Sequence, residues 1–310
     1  MKIAQISALV ALSAMTVHQG RAETGGSSRE NPSSSIPYES GAEVVSDHEE
    51  RWSDFLPIFG KEAREQGYVL PRPFGVSLGY MNQEQPFDVG ALTVNGIDVK
   101  EPGLAEIDEV DNQEDTLTLR FDAWIFPFFN VYGILGKTDG KAEGPLTINP
   151  EALFGPIGCG VLGIDCRPIE TSFKVDYEGD VLGGGITIAG GYQDFFGMVD
   201  TNYTETDLDI SKTDAEAWVT SARIGWNGKL GDFTGALWLG AMHQDIEQTL
   251  DLEVPAGGSR ALQVTVEQSV QEPWSYLVGG RWELNRGFEV LAEFGFGERR
   301  SNMLNLTYRF

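Results

Sequence analysis

The chain has 310 residues, with 22 Lys and Arg against 47 Asp and Glu, a formal charge of −25, and 41% hydrophobic content including 38 glycines and 17 phenylalanines. So large an acidic excess lacks the basic footprint of a nucleic-acid binder. A helical membrane bundle is excluded as well: mean hydropathy is −0.20, and the apolar run Ile3 to Val17 is short of the ~20 residues that a helical span needs.

That run begins the chain. Lys2 precedes it, and Gly20-Arg21-Ala22 places small residues three and one positions before a cut, so residues 1–22 read as a secretory signal peptide cleaved after Ala22. Glu23 to Asp47 is rich in Ser, Gly and Glu with few large apolar groups, too little to offset the entropy of ordering, and is expected to be a flexible tail. From Ser46 to Gln66, Trp52, Phe55, Leu56 and Phe59 fall at helical spacing with Pro57 interrupting, which predicts a short amphipathic helix within an acidic segment spanning 23–73.

From Phe74 to the end the periodicity is two. Val76, Leu78 and Tyr80 alternate with Ser77, Gly79 and Met81; Leu117, Leu119, Phe121, Ala123 and Ile125 alternate with Thr118, Arg120, Asp122 and Trp124. Further strands are predicted at about 130–138, 182–192, 195–205, 216–227, 232–244, 270–283, 287–297 and 301–310, ten in all. Their length suits a tilted membrane crossing better than a soluble sheet. Phe87 to Val99 and Ala261 to Gln271 are the extra candidates for a twelve-stranded alternative.

Short and long connections alternate. Pro127, Gln193-Asp194, Gly228 to Gly231 and Asn285-Arg286 mark the short ones; Asn82 to Asp115, Asp139 to Val181, Thr206 to Ala215 and Asp245 to Ser269 are expected to be long external loops. The hairpin near Glu298 to Arg300 breaks that rhythm by being short. Cys159 and Cys166, the two cysteines, lie in one of these connections and are expected to form a disulfide that pins it, with reduced thiols as the alternative. Zinc would need about four ligands, and no histidine lies near.

The final strand carries the alternating row Leu304, Leu306, Tyr308 and Phe310, ending on an aromatic. In this row the chain resembles the Gram-negative outer-membrane β-barrel proteins, and Arg120 to Lys137 with Leu182 to Tyr192 is similar to a group of them without an assigned role. The resemblance implies an all-β, antiparallel up-and-down transmembrane barrel over 74–310, an outer-membrane location with the N-terminus in the periplasm, lipid and lipopolysaccharide as surroundings, and the barrel assembly machinery as reader of that terminal row.

With Phe310 facing lipid, Phe288, Val290, Phe294, Phe296, Tyr276, Val278, Trp282, Trp218, Ile224, Trp226, Phe233, Leu237 and Leu239 share its face. The opposite face collects Arg120, Asp122, Arg223, Arg281, Glu283, Glu289, Glu293 and Arg309, four cations and four anions, expected to pair across a narrow lumen and obstruct it. An enzyme of this architecture, such as an omptin-like protease, would use His243 with Asp245, Asp207 and Asp209 at the external rim, but no second rim Asp-x-Asp completes such a set. A phospholipase would need a Ser activated by His, and none lies near His243. Asp108 to Asp115 offers oxygen ligands for Ca²⁺ without the EF-hand spacing, so a solvated loop is expected there. The expected function is therefore a non-enzymatic surface protein without metal or cofactor, its external loops making contacts or supporting the envelope; a narrow passive pore is the alternative, and a rim-sited hydrolase follows last.

Overall fold

A computed structural model describes residues 55–310 apart from 69, 95, 101–102, 108, 150, 153–166, 211–214, 231–232, 256–260 and 286. The expected signal peptide, the stretch Glu23 to Asp47, Trp52 and the Cys159–Cys166 pair lie outside the described residues. A six-residue helix, α1 (Gly60–Glu65), precedes β1 (Phe74–Val94), β2 (Ile97–Asp98), β3 (Ala105–Glu106), β4 (Glu109–Phe126), β5 (Phe129–Ile148), β6 (Ile169–Tyr192), β7 (Phe195–Leu208), β8 (Ala215–Leu230), β9 (Phe233–Pro255), β10 (Ala261–Val270), β11 (Trp274–Asn285), β12 (Phe288–Phe296) and β13 (Arg300–Arg309).

Ten of these strands close an antiparallel up-and-down barrel. Each of β4, β5, β6, β7, β8 and β9 pairs with its predecessor in that series, β9 passes to β11, and β11, β12 and β13 follow in turn. The ring shuts because β1 pairs with β4 on one side and with β13 on the other, Leu78 standing opposite both Leu119 and Leu306. Twelve strands do not form: Phe87 to Val94 continues β1, and β10 lies outside the ten-stranded ring.

β10 builds a second ring above the first. β1 pairs with β13 from Gly75 to Glu84, then changes partner and pairs with β10 from Phe87 to Val94. β9 does the same, pairing with β11 up to His243 and with β10 from Glu247 onward. Above the switch the wall is therefore β1, β4, β5, β6, β7, β8, β9 and β10, and β11 to β13 no longer take part. Backbone groups at the two junctions remain satisfied, with the Gln244 N–H donating to the Pro273 carbonyl at 2.9 Å and the Gln271 N–H to the Pro86 carbonyl at 3.4 Å. We call the ten-stranded part, which ends in the tight turns, the lower storey and the eight-stranded part the upper storey.

This arrangement corrects the expected long external loops. Five strands, β1, β4, β5, β6 and β9, run far into the segments Asn82 to Asp115, Asp139 to Val181 and Asp245 to Ser269. Those segments keep the period of two but invert its polarity. On β1 the outward Phe74, Val76, Leu78 and Tyr80 give way to Asn82, Glu84, Pro86 and Asp88, while the inward Ser77 and Gly79 give way to Phe87 and Val89. Charges that face outward made these strands look like loops. The Ca²⁺ reading of Asp108 to Asp115 meets the same fact: β4 starts at Glu109, so Asp111 and Asp115 point out while Glu114 points in, and the carboxylates diverge. No group of side chains fit to hold a metal ion occurs among the described residues.

The upper storey has a dry core. Phe87, Val89, Leu92, Ile107, Val110, Ala142, Tyr177, Leu208, Ile246, Leu250 and Val266 pack across it, with Val110 at 0%, Phe87 at 1% and Leu250 at 2% exposure. Gly140 makes room for one of them, since a Cβ there would lie 2.0 Å from the Tyr177 ring. Burial raises the pKa of the Tyr177 phenol, and its hydroxyl donates to Asn112 Oδ1 at 2.8 Å.

Candidate functional site

Alternation sends every second residue of the lower storey into the lumen, and all eight expected charges point there. They divide into two groups. In the first, Arg223 on β8 grips Glu293 on β12 with two parallel bonds, Nε to Oε2 at 2.6 Å and Nη2 to Oε1 at 2.7 Å. Trp238 on β9 donates its indole N–H to the same Oε2 at 2.6 Å, and Arg223 Nη1 donates to Ser221 Oγ at 2.6 Å. Glu293 is 3% exposed. So fully bonded a carboxylate meets the condition under which a charge is tolerated away from water. The Trp238 ring reaches it by lying over Gly279 of β11, where a Cβ would stand 2.7 Å from the indole.

The second group lies nearer the tight turns. Arg309 Nη1 is 3.0 Å from Asp122 Oδ2, which also accepts from Asn130 Nδ2 at 2.8 Å. Glu289 lies 3.7 Å from both Arg309 Nε and Arg281 Nη1, and Glu283 lies 3.6 Å from Arg281 Nη2. Arg120 takes no carboxylate partner in this set; its guanidinium stands 3.4 Å over the Tyr132 ring, a cation–π contact. The Tyr132 hydroxyl donates to Asp200 Oδ1 at 2.8 Å, and Thr187 donates to Asp200 Oδ2 at 2.6 Å. Seven of the eight thus stand within 4.0 Å of an opposite charge, and Arg120 rests on an aromatic face.

Between the charges and the dry core lies a layer of amides. Gln83 donates to Gln85 at 2.7 Å, and Gln248 to Gln268 at 3.2 Å. Arg299, from the turn between β12 and β13, is 2% exposed and folds into this layer, donating to Gln244 Oε1 and, at 2.8 Å, to Ser275 Oγ.

Sequence reasoning missed Asp200, Tyr132, Trp238 and Arg299 as lumen groups. The first three carried a usable signal, because each alternates with outward apolar residues: Asp200 follows Val199, Tyr132 follows Val131, and Trp238 sits between Leu237 and Leu239. Arg299 belongs to a turn, where alternation gives no direction. His243, the one histidine among the described residues, lies on the outward face of β9 and meets the Trp274 ring edge-on at 4.9 Å. Asp245 shares that face two residues on, and both stand outside the lumen. Asp207, at the end of β7, also faces outward, and Asp209 accepts from the Glu178 N–H at 3.0 Å.

Leu304, Leu306, Tyr308 and Phe310 all face outward. With Phe288, Phe294, Phe296, Tyr276, Val278, Trp282, Trp218, Ile224, Leu237 and Leu239 they form an exposed apolar belt around the lower storey. Its upper limit follows the strands round the barrel: Tyr80 then Asn82 on β1, Leu117 then Asp115 on β4, Leu135 then Lys137 on β5, Leu182 then Asp180 on β6, and Tyr203 then Glu205 on β7.

The chain is similar in structure to OprG, an outer-membrane protein of Pseudomonas aeruginosa, at a TM-score of 0.41 and 11% identity over 78% of this chain and 98% of that one. It is similar to the translocator domain of the autotransporter NalP from Neisseria meningitidis, at 0.28 and 12% over 81% and 93%, and to the beta domain of the Bordetella autotransporter BrkA, at 0.35 and 10% over 77% and 100%. No protein-family model matches the chain, and no curated protein matches it.

Proposed function

We propose that the chain is a non-enzymatic integral protein of the outer membrane of a Gram-negative bacterium, closed to solutes, whose upper storey projects from the cell as a rigid platform for external contacts. The observation that carries this reading is the stacking of two seals in one barrel. A dry apolar core, with Val110, Phe87 and Leu250 out of contact with water, sits directly above a lumen whose charges are tied to one another. Either seal alone obstructs a path; an ion would have to shed its water to pass the upper one.

The belt supports the membrane part. Shielding that much apolar surface from water is favourable at ~25 cal/mol per Å², and the strands confined to it, β11 (12 residues), β12 (9) and β13 (10), have the length of a tilted crossing. In this reading the tight turns and the N-terminus lie in the periplasm, lipid and lipopolysaccharide surround the belt, and the barrel assembly machinery reads the outward row from Leu304 to Phe310. The outer face of the upper storey is strongly acidic, with Glu84, Asp88, Asp111, Asp139, Asp176 and Glu178 all exposed, which favours contacts with cationic groups. The non-enzymatic part rests on His243 being turned toward Trp274 and away from every lumen carboxylate.

The test is conductance of the purified barrel in planar bilayers. No unitary steps are expected from the full-length protein; stable open steps would overturn the closed reading. Replacing His243 with Ala is expected to leave peptide and lipid hydrolysis at background.

A further inference from the structure

The segment before α1 presents apolar groups where a water-facing bend has no use for them. Leu56 is buried and the Ile58 N–H donates to the Ile125 carbonyl at 2.8 Å, which fastens the bend to the lower end of β4. Phe55 nevertheless stands 80% exposed and Phe59 62% exposed, with Ile58 also open. The Phe59 ring stacks on Phe126 at 6.1 Å, and Phe126 stacks on the exposed Phe128 at 5.7 Å in the first tight turn. This aromatic row is continuous with the belt, because Phe126 also touches Phe129 at the foot of β5, whose outward face continues through Val131 and Leu135. The polar side of the same piece is α1, where Lys61, Glu62 and Glu65 are all exposed.

We propose that Phe55, Ile58 and Phe59 insert into the phospholipid leaflet at the tight-turn end of the barrel, so that residues 55–68 form an interfacial hook lying in the membrane boundary with α1 on its water side. The partner is a phospholipid surface. A stretch with a water-facing polar side and rings on the other side is at its most favourable where hydrocarbon meets headgroups. Continuity with the belt selects lipid over a protein partner, since the same bilayer that covers Leu135 and Phe129 reaches Phe59 without a gap. The inference rests on the membrane reading above and adds a periplasmic-leaflet contact to it.

The experiment is spin labelling of the full chain, with Cys159→Ser and Cys166→Ser, in phosphatidylcholine vesicles. Labels are placed by Phe59→Cys and, as a second position against misfolding of the first, Phe55→Cys. Leu239→Cys in the belt and Asp139→Cys on the upper storey serve as references. Collision rates with oxygen, which concentrates in hydrocarbon, and with a water-soluble nickel chelate are read at each site. The expected oxygen-to-nickel ratio at both hook positions is several-fold above that at Asp139 and close to that at Leu239. A ratio at both hook positions equal to that at Asp139, with Leu239 in lipid, overturns the hook and leaves the barrel reading intact. Low access to both quenchers at both positions means protein covers them and overturns it too. A water-like ratio at Leu239 removes the membrane reading and the hook with it.

Discussion

The two storeys share seven strands, β1 and β4 to β9, yet their faces have opposite chemistry. Along β1 the chain puts Leu78 outward and Ser77 inward below the switch, then Asp88 outward and Phe87 inward above it; β4 does the same with Phe121 and Asp122 below, Asp111 and Val110 above. The strand period is two in both places, and what differs is which face carries the apolar residues. In the proposed reading hydrocarbon surrounds the lower wall, so polar groups turn inward and pair, while water surrounds the upper wall, so the apolar groups take the interior and the charges go out. On that reading one β-barrel passes from membrane-embedded to water-surrounded partway along its length without breaking a strand. Fewer strands suffice above because a close-packed apolar core fills an eight-stranded ring.

The comparison is broken most strongly at Glu293. Glu293→Ala leaves Arg223 and the Trp238 N–H without their acceptor in the lower storey, and a loss of about 3–5 kcal/mol is expected, read as a lowered midpoint of urea unfolding in detergent. Conductance stays absent in that variant, because the apolar seal above is untouched; the appearance of steps would show that the lumen charges alone keep the barrel shut. Phe87→Ala attacks the upper storey instead, with an expected cost of about 3–5 kcal/mol from lost burial and the cavity left behind. Amide hydrogen exchange should rise at Val110 and Leu250 while Gly279 and Glu293 in the lower storey stay protected; equal deprotection of both would mean that the storeys unfold as one unit. At the small end, Lys137→Ala removes the exposed 2.8 Å pair with Asp180 just above the belt. Aspartate at the pair raises the Lys137 pKa, but both partners are open to water, and no measurable change in the unfolding midpoint is expected.

Much of the lower storey was legible because its signal is local. The outward row Leu304, Leu306, Tyr308 and Phe310 and the inward Glu289, Glu293 and Arg309 follow from alternation alone, once one residue is assigned a side. The pairing of Arg223 with Glu293 was expected as a kind of contact but not as a pair, since 70 residues separate them and only closure of the ring sets which strands face each other. The upper storey was legible only in Phe87 to Val99 and Ala261 to Gln271, the extra strand candidates, which fall mostly in β1 and β10, and the rest was obscured for a different reason. Reading charged alternation as loop is sound when the outside is hydrocarbon, and Glu84 to Asp88 or Glu109 to Asp115 become strands only when their apolar partners are known to share an interior.

By itself the sequence determined the period of two, the two faces of each strand, the belt, and the identity of the charges on the face opposite it, because side-chain direction in a strand depends only on position along the chain. The tertiary structure alone decided that β10 enters between β9 and β1, that ten strands become eight, and that strands within the expected long external loops build a dry core. Strand pairing joins residues far apart in the chain, such as Phe87 and Val270, and its free energy depends on contacts that exist only once the barrel has closed.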